Sequence, residues 1–314
     1  MELYSLSFLT MLSLIIAAPA LPAPAAEDNM SPLDYWKSKL PYNTTAALSD
    51  LLYGPTSDWL DNITIRYAQY SKYNPKSGHP HDIKTAATAF FFLEDDLRHA
   101  VGRTFRLKFG KSTAGAKFLP RRIADGIPFS APHVLNLFNM DPRSDPAREI
   151  NTTINDCRDP RPVKGEKIQC VTSLEGMIDF TTSQLGKHVT AVWTNGTSIG
   201  SVKEFKVSGV KSVLSGSSGG GRKILVVCHR RYFPYGVFQC HRILDTVAYE
   251  VTLEDEPAGG VNGTRVDAVA TCHRDTSGWN PSYVAFQSLR NEKPGGNPIC
   301  HFLRFGDIAW MPTV

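Results

Sequence analysis

Hydrophobic and polar positions along this chain divide it into an N-terminal part without a clear period and a C-terminal part with strand character in segment after segment. Val189–Trp193, Glu204–Val207, Ile224–His229, Val237–Ile243, Thr246–Leu253, Arg265–His273, Tyr283–Leu289 and Ile299–Phe305 are predicted strands, rich in β-branched and aromatic residues. Ahead of them, Ala89–Leu93 and Thr104–Phe109 alternate in part and read the same way. The clearest helix runs from Thr172 to Leu185. Leu174, Met177, Ile178, Thr181 and Leu185 share one face, Thr172 and Glu175 have capping-box spacing, and Gly186 supplies the stop. Ser130 with Pro132 starts a shorter helix before Val134–Phe138, and Asp141–Pro146 is a turn-rich connection. A further helix is expected over Thr56–Tyr70, and Ser212–Gly221 is a loop. Helices in the middle and strands at the end make an α+β fold, predominantly antiparallel β with a few helices.

The first residues change the setting. Leu6–Ala18 is an apolar run of h-region length followed by small residues, so residues 1–26 read as a secretory signal peptide. No later segment is long and apolar enough to span a bilayer, which predicts no membrane attachment after signal removal. Sequons at Asn43, Asn62, Asn151, Asn195 and Asn262, with a weaker one at Asn29 ahead of Pro32, agree with secretion to the extracellular space, the apoplast or a vacuole. Residues 27–89 have Gly/Pro punctuation and no internal repeat and read as an N-terminal leader; residues 90–314 read as the folded domain. The formal charge of +4 is spread along the chain, without the basic cluster that nucleic-acid binding requires.

In an oxidising route six cysteines default to disulfides. Cys157 and Cys170 flank the turn Asp159–Pro162, and a bridge between them is expected. The other four each precede a histidine: Cys228-His229, Cys240-His241, Cys272-His273 and Cys300-His301, with gaps of 10, 30 and 26 residues. On a strand, successive side chains point to opposite faces. Each pair therefore sends a thiol one way and an imidazole the other. Four cysteines can close two disulfides, in any of three pairings, and four imidazoles can converge on a metal. Imidazole suits copper, zinc, nickel and iron, and the absence of carboxylates from the motif favours copper or zinc. His79, His81 and His188 stand outside the pattern and read as solvated or structural. No His-Glu-x-x-His occurs, Ser217-Ser218 has no base at motif spacing, and Gly219–Lys223 lacks the phosphate-loop pattern.

The four pairs, followed after eight residues by Trp310, resemble the C-terminal signature of plant BURP-domain proteins. Phe91–Glu94, Phe118–Phe129, Gly165–Glu175, Cys272–Pro281 and Pro298–Leu303 extend the resemblance over about residues 90–314, and Pro32–Trp36 resembles the opening of many such precursors. The second gap is a few residues longer than usual, with the surplus in Asp255–Val261. Part of this family consists of copper-dependent peptide cyclases, which use oxygen to join a Trp or Tyr side chain to another residue of a precursor peptide. The resemblance implies copper as cofactor, His229, His241, His273 and His301 as its ligands and catalytic centre, and a precursor peptide and molecular oxygen as partners. The short, unrepeated leader favours a peptide supplied in trans. Other members are cell-wall or stress-associated proteins, including relatives of a polygalacturonase subunit, and these imply a secreted protein without enzymatic activity.

Overall fold

The fold is seen in a computed structural model that describes residues 30–40, 91–107, 117–196, 203–213, 224–255, 263–289 and 292–313. The signal peptide, the helix expected over Thr56–Tyr70, His79, His81 and the sequons at Asn29, Asn43, Asn62 and Asn262 lie outside these residues.

The expected strands assemble into two sheets. The larger is built from β1 (Phe91–Leu93), β2 (Thr104–Leu107), β5 (Asn195–Gly196), β6 (Lys203–Val213), β9 (Thr246–Glu254), β10 (Arg265–His273) and β11 (Ile299–Phe302). Its order is β1-β11-β10-β9-β6-β2, with β5 also on β10. The smaller contains β3 (Lys167–Val171), β4 (Val189–Val192), β7 (Ile224–Arg230), β8 (Phe238–Leu244) and β12 (Ile308–Pro312), in the order β3-β8-β7-β12-β4. Every pairing is antiparallel.

Alternation along the strands sorts side chains into layers. Leu225 and Val227 of β7 and Ala309 and Met311 of β12 pack on Ala248 of β9 and Val269 of β10, which is the core between the sheets. The intervening residues face outward into other cores. Val226 and Cys228 meet Leu174, Met177 and Ile178 of a helix over Leu174–Leu185, together with Trp310. Ala268, Ala270 and Cys272 join Phe205, Val251 and Leu97 on the far face of the larger sheet. Because β7 is covered on both faces, it reads as a nearly continuous apolar run.

Among the described residues the helices are α1 (Pro32–Lys39), α2 (Glu94–Arg98), α3 (Arg121–Ala124), α4 (Ala131–Leu137), α5 (Asp145–Arg158), α6 (Leu174–Leu185) and α7 (Val284–Ser288). In α6 the cap is Ser173, whose hydroxyl accepts the Gly176 N–H at 3.1 Å, one residue after the expected Thr172. Gly186 ends it at φ 81°, a left-handed conformation that favours glycine. Helices α3 to α5 gather around the β7–β8 connection, burying Phe233, Tyr235 and Val237. Gly236 is required there, because a Cβ would stand 2.8 Å from the backbone nitrogen of Phe118.

Several elements depart from the sequence expectation. Tyr283–Leu289 is not a strand; Val284–Ser288 is helical, following a turn in which Asn280 Oδ1 accepts the Ser282 N–H at 2.9 Å, and it buries Ala285 and Phe286. A short apolar run cannot separate strand from helix by period alone. Helix α5 was not expected, since its Asn, Thr and Asp residues are poor helix formers. It is held by the Ser144 cap and by burial of Ala147, Ile150, Thr153 and Ile154 along one face. Strand β6 runs well past Val207 because the register shifts between Val207 and Gly209, which inverts the alternation beyond that point. Strand β11 stops at Phe302, and β3 and β12 join the smaller sheet as strands the sequence reading did not separate.

Part of the segment read as leader packs into the domain. Tyr35, Trp36 and Leu40, on and just after α1, are at most 2% exposed and join the α6 cluster. The rings of Trp36 and Trp310 lie 5.4 Å apart. The Tyr35 hydroxyl donates to Asp179, which also receives Arg121 at 2.5 Å. Among the described residues no helix is long and apolar enough to cross a membrane.

The structure joins Cys157 to Cys170, Cys228 to Cys240 and Cys272 to Cys300, leaving no free cysteine. Each bridge is expected to contribute about 2–4 kcal/mol by restricting the unfolded chain. Peptide mapping without reduction is expected to recover these three bridges and no others; any other pairing among the last four cysteines refutes the strand register. Trp36→Ala is expected to lower the unfolding free energy by about 3–5 kcal/mol. Val101→Ala, at a side chain 60% exposed, is expected to change it by less than about 0.5 kcal/mol. Denaturant titrations of both variants check this pair.

Candidate metal centre

The strand register explains how four Cys-His pairs make one site. Cys228 stands directly opposite Cys240 in the β7–β8 ladder, and Cys272 opposite Cys300 in the β10–β11 ladder. Opposed residues share a face, so each disulfide lies on the outer side of its sheet. The histidines one position on lie on the inner side as diagonal neighbours: His229 opposite Gln239, His241 opposite Val227, His273 opposite Ile299 and His301 opposite Thr271. Facing of the two sheets then brings the imidazoles into a row. Ring centroids are 5.2 Å apart for His241 and His229, 6.0 Å for His229 and His301, and 5.5 Å for His301 and His273. His273 Nε2 and His301 Nε2 approach to 3.4 Å.

Carboxylates that the sequence reading missed stand behind two of the rings. His229 Nδ1 is 3.1 Å from Asp307 Oδ2, and His241 Nδ1 is 2.7 Å from Glu166 Oε1. Asp307 is 1% exposed and also accepts the backbone N–H of Arg230 at 2.9 Å and Arg304 Nε at 3.3 Å. Burial opposes its ionisation, but Arg304, His229 and the Arg230 N–H outweigh that and hold the carboxyl well below the ordinary carboxylate range. Glu166 also accepts the Val163 N–H at 2.9 Å. Glu166 falls in the block Gly165–Glu175 that carried the family resemblance, though nothing marked it as a partner of histidine. Asp307 has no local signal: only the β7–β12 pairing, with Ile308 opposite Cys228, brings it beside His229.

These partners give the rings a common polarity. Asp307, Glu166 and the Phe302 carbonyl, 3.2 Å from His301 Nδ1, accept a proton carried on Nδ1. The Nε2 lone pairs of His229, His241 and His301 are then left for other partners. Thr271 Oγ1 lies 3.2 Å from His301 Nε2, and Thr246 Oγ1 lies 3.4 Å from His273 Nδ1. His241 Nε2 is buried with no hydrogen-bond partner. Burial lowers the pKa of His241 against the pull of Glu166. Burial, with His301 beside it, pushes His273 well below its ordinary value. Burial and His229 bring His301 down to about 4. These three imidazoles are therefore neutral at pH 7, the form that ligates metals.

Among the described residues no three His, Cys, Asp or Glu side chains already stand in an arrangement that holds a metal ion. The donor chemistry and spacing nonetheless fit one. With metal–nitrogen bonds of about 2.0–2.1 Å, two imidazoles sharing an ion have centroids up to about 6.4 Å apart. Each neighbouring pair in the row falls within that limit. What differs is the aim of the rings, since they form a row and not a closed set. The cysteine sulfurs are all engaged in disulfides and leave the histidines as the nitrogen donors.

Aromatic side chains flank the row. Trp279 meets His273 edge-on at 5.0 Å, and Phe91 meets His301 at 6.1 Å. His188 is exposed and not among these partners, Asn195 is exposed on β5, and Asn151 is exposed on α5. The hydroxyl of the Asn151 sequon, Thr153, is buried and donates to the Tyr232 carbonyl at 2.9 Å.

Comparison with known proteins matches residues 90–312 to the BURP domain. The chain is 45% identical over 227 residues to rice BURP domain-containing protein 3, covering 71% of this chain and 50% of that protein. It is 39% identical over 249 residues to the Arabidopsis thaliana BURP domain protein RD22, covering 76% of this chain and 59% of that one. With rice BURP domain-containing protein 5 the match is 35% over 298 residues, covering 90% and 87%. The chain thus spans about half the length of some of these plant relatives and most of the length of another. Matched through the region that holds all four Cys-His pairs, both carboxylates and Trp310, the chain belongs to the BURP domain family.

Proposed function

We propose that this protein is a copper-dependent oxidative cyclase that cross-links a Trp or Tyr side chain to another residue of a precursor peptide, acting in trans in the secretory route. The observation that carries this reading is the row of four imidazoles between two sheets, two of them backed by carboxylates and one with a buried, unpartnered Nε2. His229, His241, His273 and His301 would hold the metal. Copper, when bound, supplies one-electron redox chemistry with oxygen, which zinc does not.

The chain's own residues do the rest. Asp307 and Glu166 fix the Nδ1 protons of His229 and His241, which orients the opposite nitrogens and raises their basicity. Burial keeps His241, His273 and His301 neutral, so protons do not compete with the metal at pH 7. The outward disulfides hold each strand pair in register and so hold the imidazoles at their diagonal spacing. Trp36, in the segment read as leader, is 1% exposed under Trp310 and cannot serve as substrate in that position, which supports a separate peptide. The three disulfides, the signal and the sequons support the secretory route.

A second reading is a secreted wall- or stress-associated protein without catalysis. It draws support from His273 and His301, which contact one another and the hydroxyls of Thr246 and Thr271.

Metal analysis after copper exposure is expected to show bound copper in the wild type and its loss in His229→Ala and His273→Ala. Asp307→Asn and Glu166→Gln are expected to retain the metal with affinity lowered about 10–100-fold. Unchanged copper in both histidine variants removes the assignment. With copper, oxygen and a Trp- or Tyr-terminated peptide, mass spectrometry is expected to show loss of two hydrogens from the peptide, dependent on His229. Full copper loading without any mass change favours the second reading.

A further inference from the structure

Two oxidisable aromatic residues beside the histidines have no part in holding a metal. Trp279 and Tyr283 lie on the connection between β10 and α7. The ring centroids of His301 and His273 are 5.5 Å apart, those of His273 and Trp279 5.0 Å, and those of Trp279 and Tyr283 5.2 Å. This is an unbroken line of rings that starts inside the histidine row and ends at Tyr283, a residue 44% exposed whose phenol is nonetheless raised above its ordinary pKa by burial and by Glu166 nearby. Phe91 and Phe286 also touch the line, at 5.9 Å from Tyr283 and 6.0 Å from Trp279. Phenylalanine is far harder to oxidise than tryptophan or tyrosine, so only Trp279 and Tyr283 can carry a one-electron vacancy outward.

The segment is built to hold its geometry. The Trp279 N–H donates to the Thr276 carbonyl at 3.0 Å and the Tyr283 N–H to the Asn280 carbonyl at 2.8 Å. The Thr276 hydroxyl, on a residue with no exposed surface, accepts the Gly295 N–H at 3.0 Å. Gly278 leaves only 3.3 Å between a Cβ placed there and Val163. A ring recruited only to fill a core is expected to be buried. Tyr283 is instead one of four large hydrophobic side chains exposed among the described residues.

We propose that Trp279 and Tyr283 form a one-electron path between the histidine site and the surface, with Tyr283 as its terminal donor, that discharges an oxidised site when no peptide occupies it. This inference rests on the copper reading. With hydrogen peroxide as oxidant, each passage removes one electron and the phenolic proton from Tyr283. The electron moves inward through Trp279 to the histidine site, and the proton goes to solvent. Two passages and two solvent protons reduce one hydrogen peroxide to two waters. A surface reductant of the ascorbate class then returns one electron and one proton to each tyrosyl radical. Without the path, oxidising equivalents remain at the site and attack the histidines.

The test uses the full chain loaded with copper and given hydrogen peroxide without peptide, then frozen for electron paramagnetic resonance. The wild type is expected to show a tyrosyl radical. Tyr283→Phe is expected to abolish it, and Trp279→Phe to lower its yield at least tenfold. Peptide mapping of Tyr283→Phe is expected to show more oxidised histidine among the four than the wild type. Both substitutions keep an aromatic ring in place, and equal thermal unfolding midpoints verify that the fold is retained. Copper content is measured on the same samples. A wild type that binds no copper overturns the copper reading and this inference together. Full copper loading with no tyrosyl radical, or with a radical unchanged in Tyr283→Phe, overturns the path alone.

Discussion

A slip of one residue between β7 and β8, or between β10 and β11, would turn one histidine out of the space between the sheets and one cysteine into it, because side chains on a strand alternate with a period of two. The site depends on that register. The disulfides Cys228–Cys240 and Cys272–Cys300 join residues that stand directly opposite one another, so each locks its strand pair at the point where the imidazoles emerge. Sulfur on the outer face and nitrogen on the inner face are two consequences of one backbone geometry. The apolar cores serve the same end. Helix α6, α1 and Trp310 cover the outer face of the smaller sheet around Cys228 and Cys240, while residues such as Val227 and Val269 join the sheets beside the histidines.

Burial alone would leave a poor set of ligands, since it removes charge without directing lone pairs. Asp307 and Glu166 supply direction. Each is itself committed by other contacts, Asp307 by the Arg230 N–H and Arg304, and Glu166 by the Val163 N–H. Asp307 stays ionised at 1% exposure only because several donors converge on it. The polar network is therefore satisfied on its outer side and open at the histidine nitrogens, where His241 Nε2 has no partner. A buried polar atom without a partner is costly in a purely structural network.

The same separation of roles appears at the ends of the chain. Trp36 comes from a segment that reads as leader, yet it packs on Trp310 behind the smaller sheet. Its docking rests on apolar burial and on the Tyr35–Asp179–Arg121 contacts, and it shields the sheet that carries His229 and His241. An aromatic residue in such a leader is thus part of the scaffold, in contrast to Tyr283, which lies at the surface beside the site.

Sequence alone determined what depends on local geometry. Alternation within each Cys-His pair assigned thiols and imidazoles to opposite faces, helical spacing marked α6 and glycine marked its end, and the turn at Asp159–Pro162 brought Cys157 to Cys170. Repetition of the pairs was enough to name the family and to mark four histidines that the fold gathers into one row. Tertiary structure decided what depends on which strands meet. Three pairings of the last four cysteines were open until β7 met β8 and β10 met β11. The order of the histidines in their row follows from how the two sheets face, which no local pattern encodes. Asp307 and Glu166 reach the rings through strand pairings that join residues 75 or more positions apart. Short apolar runs such as Val284–Ser288, and the polar helix α5, take their conformation from the faces they bury, because intrinsic propensity over so few residues is weaker than tertiary packing.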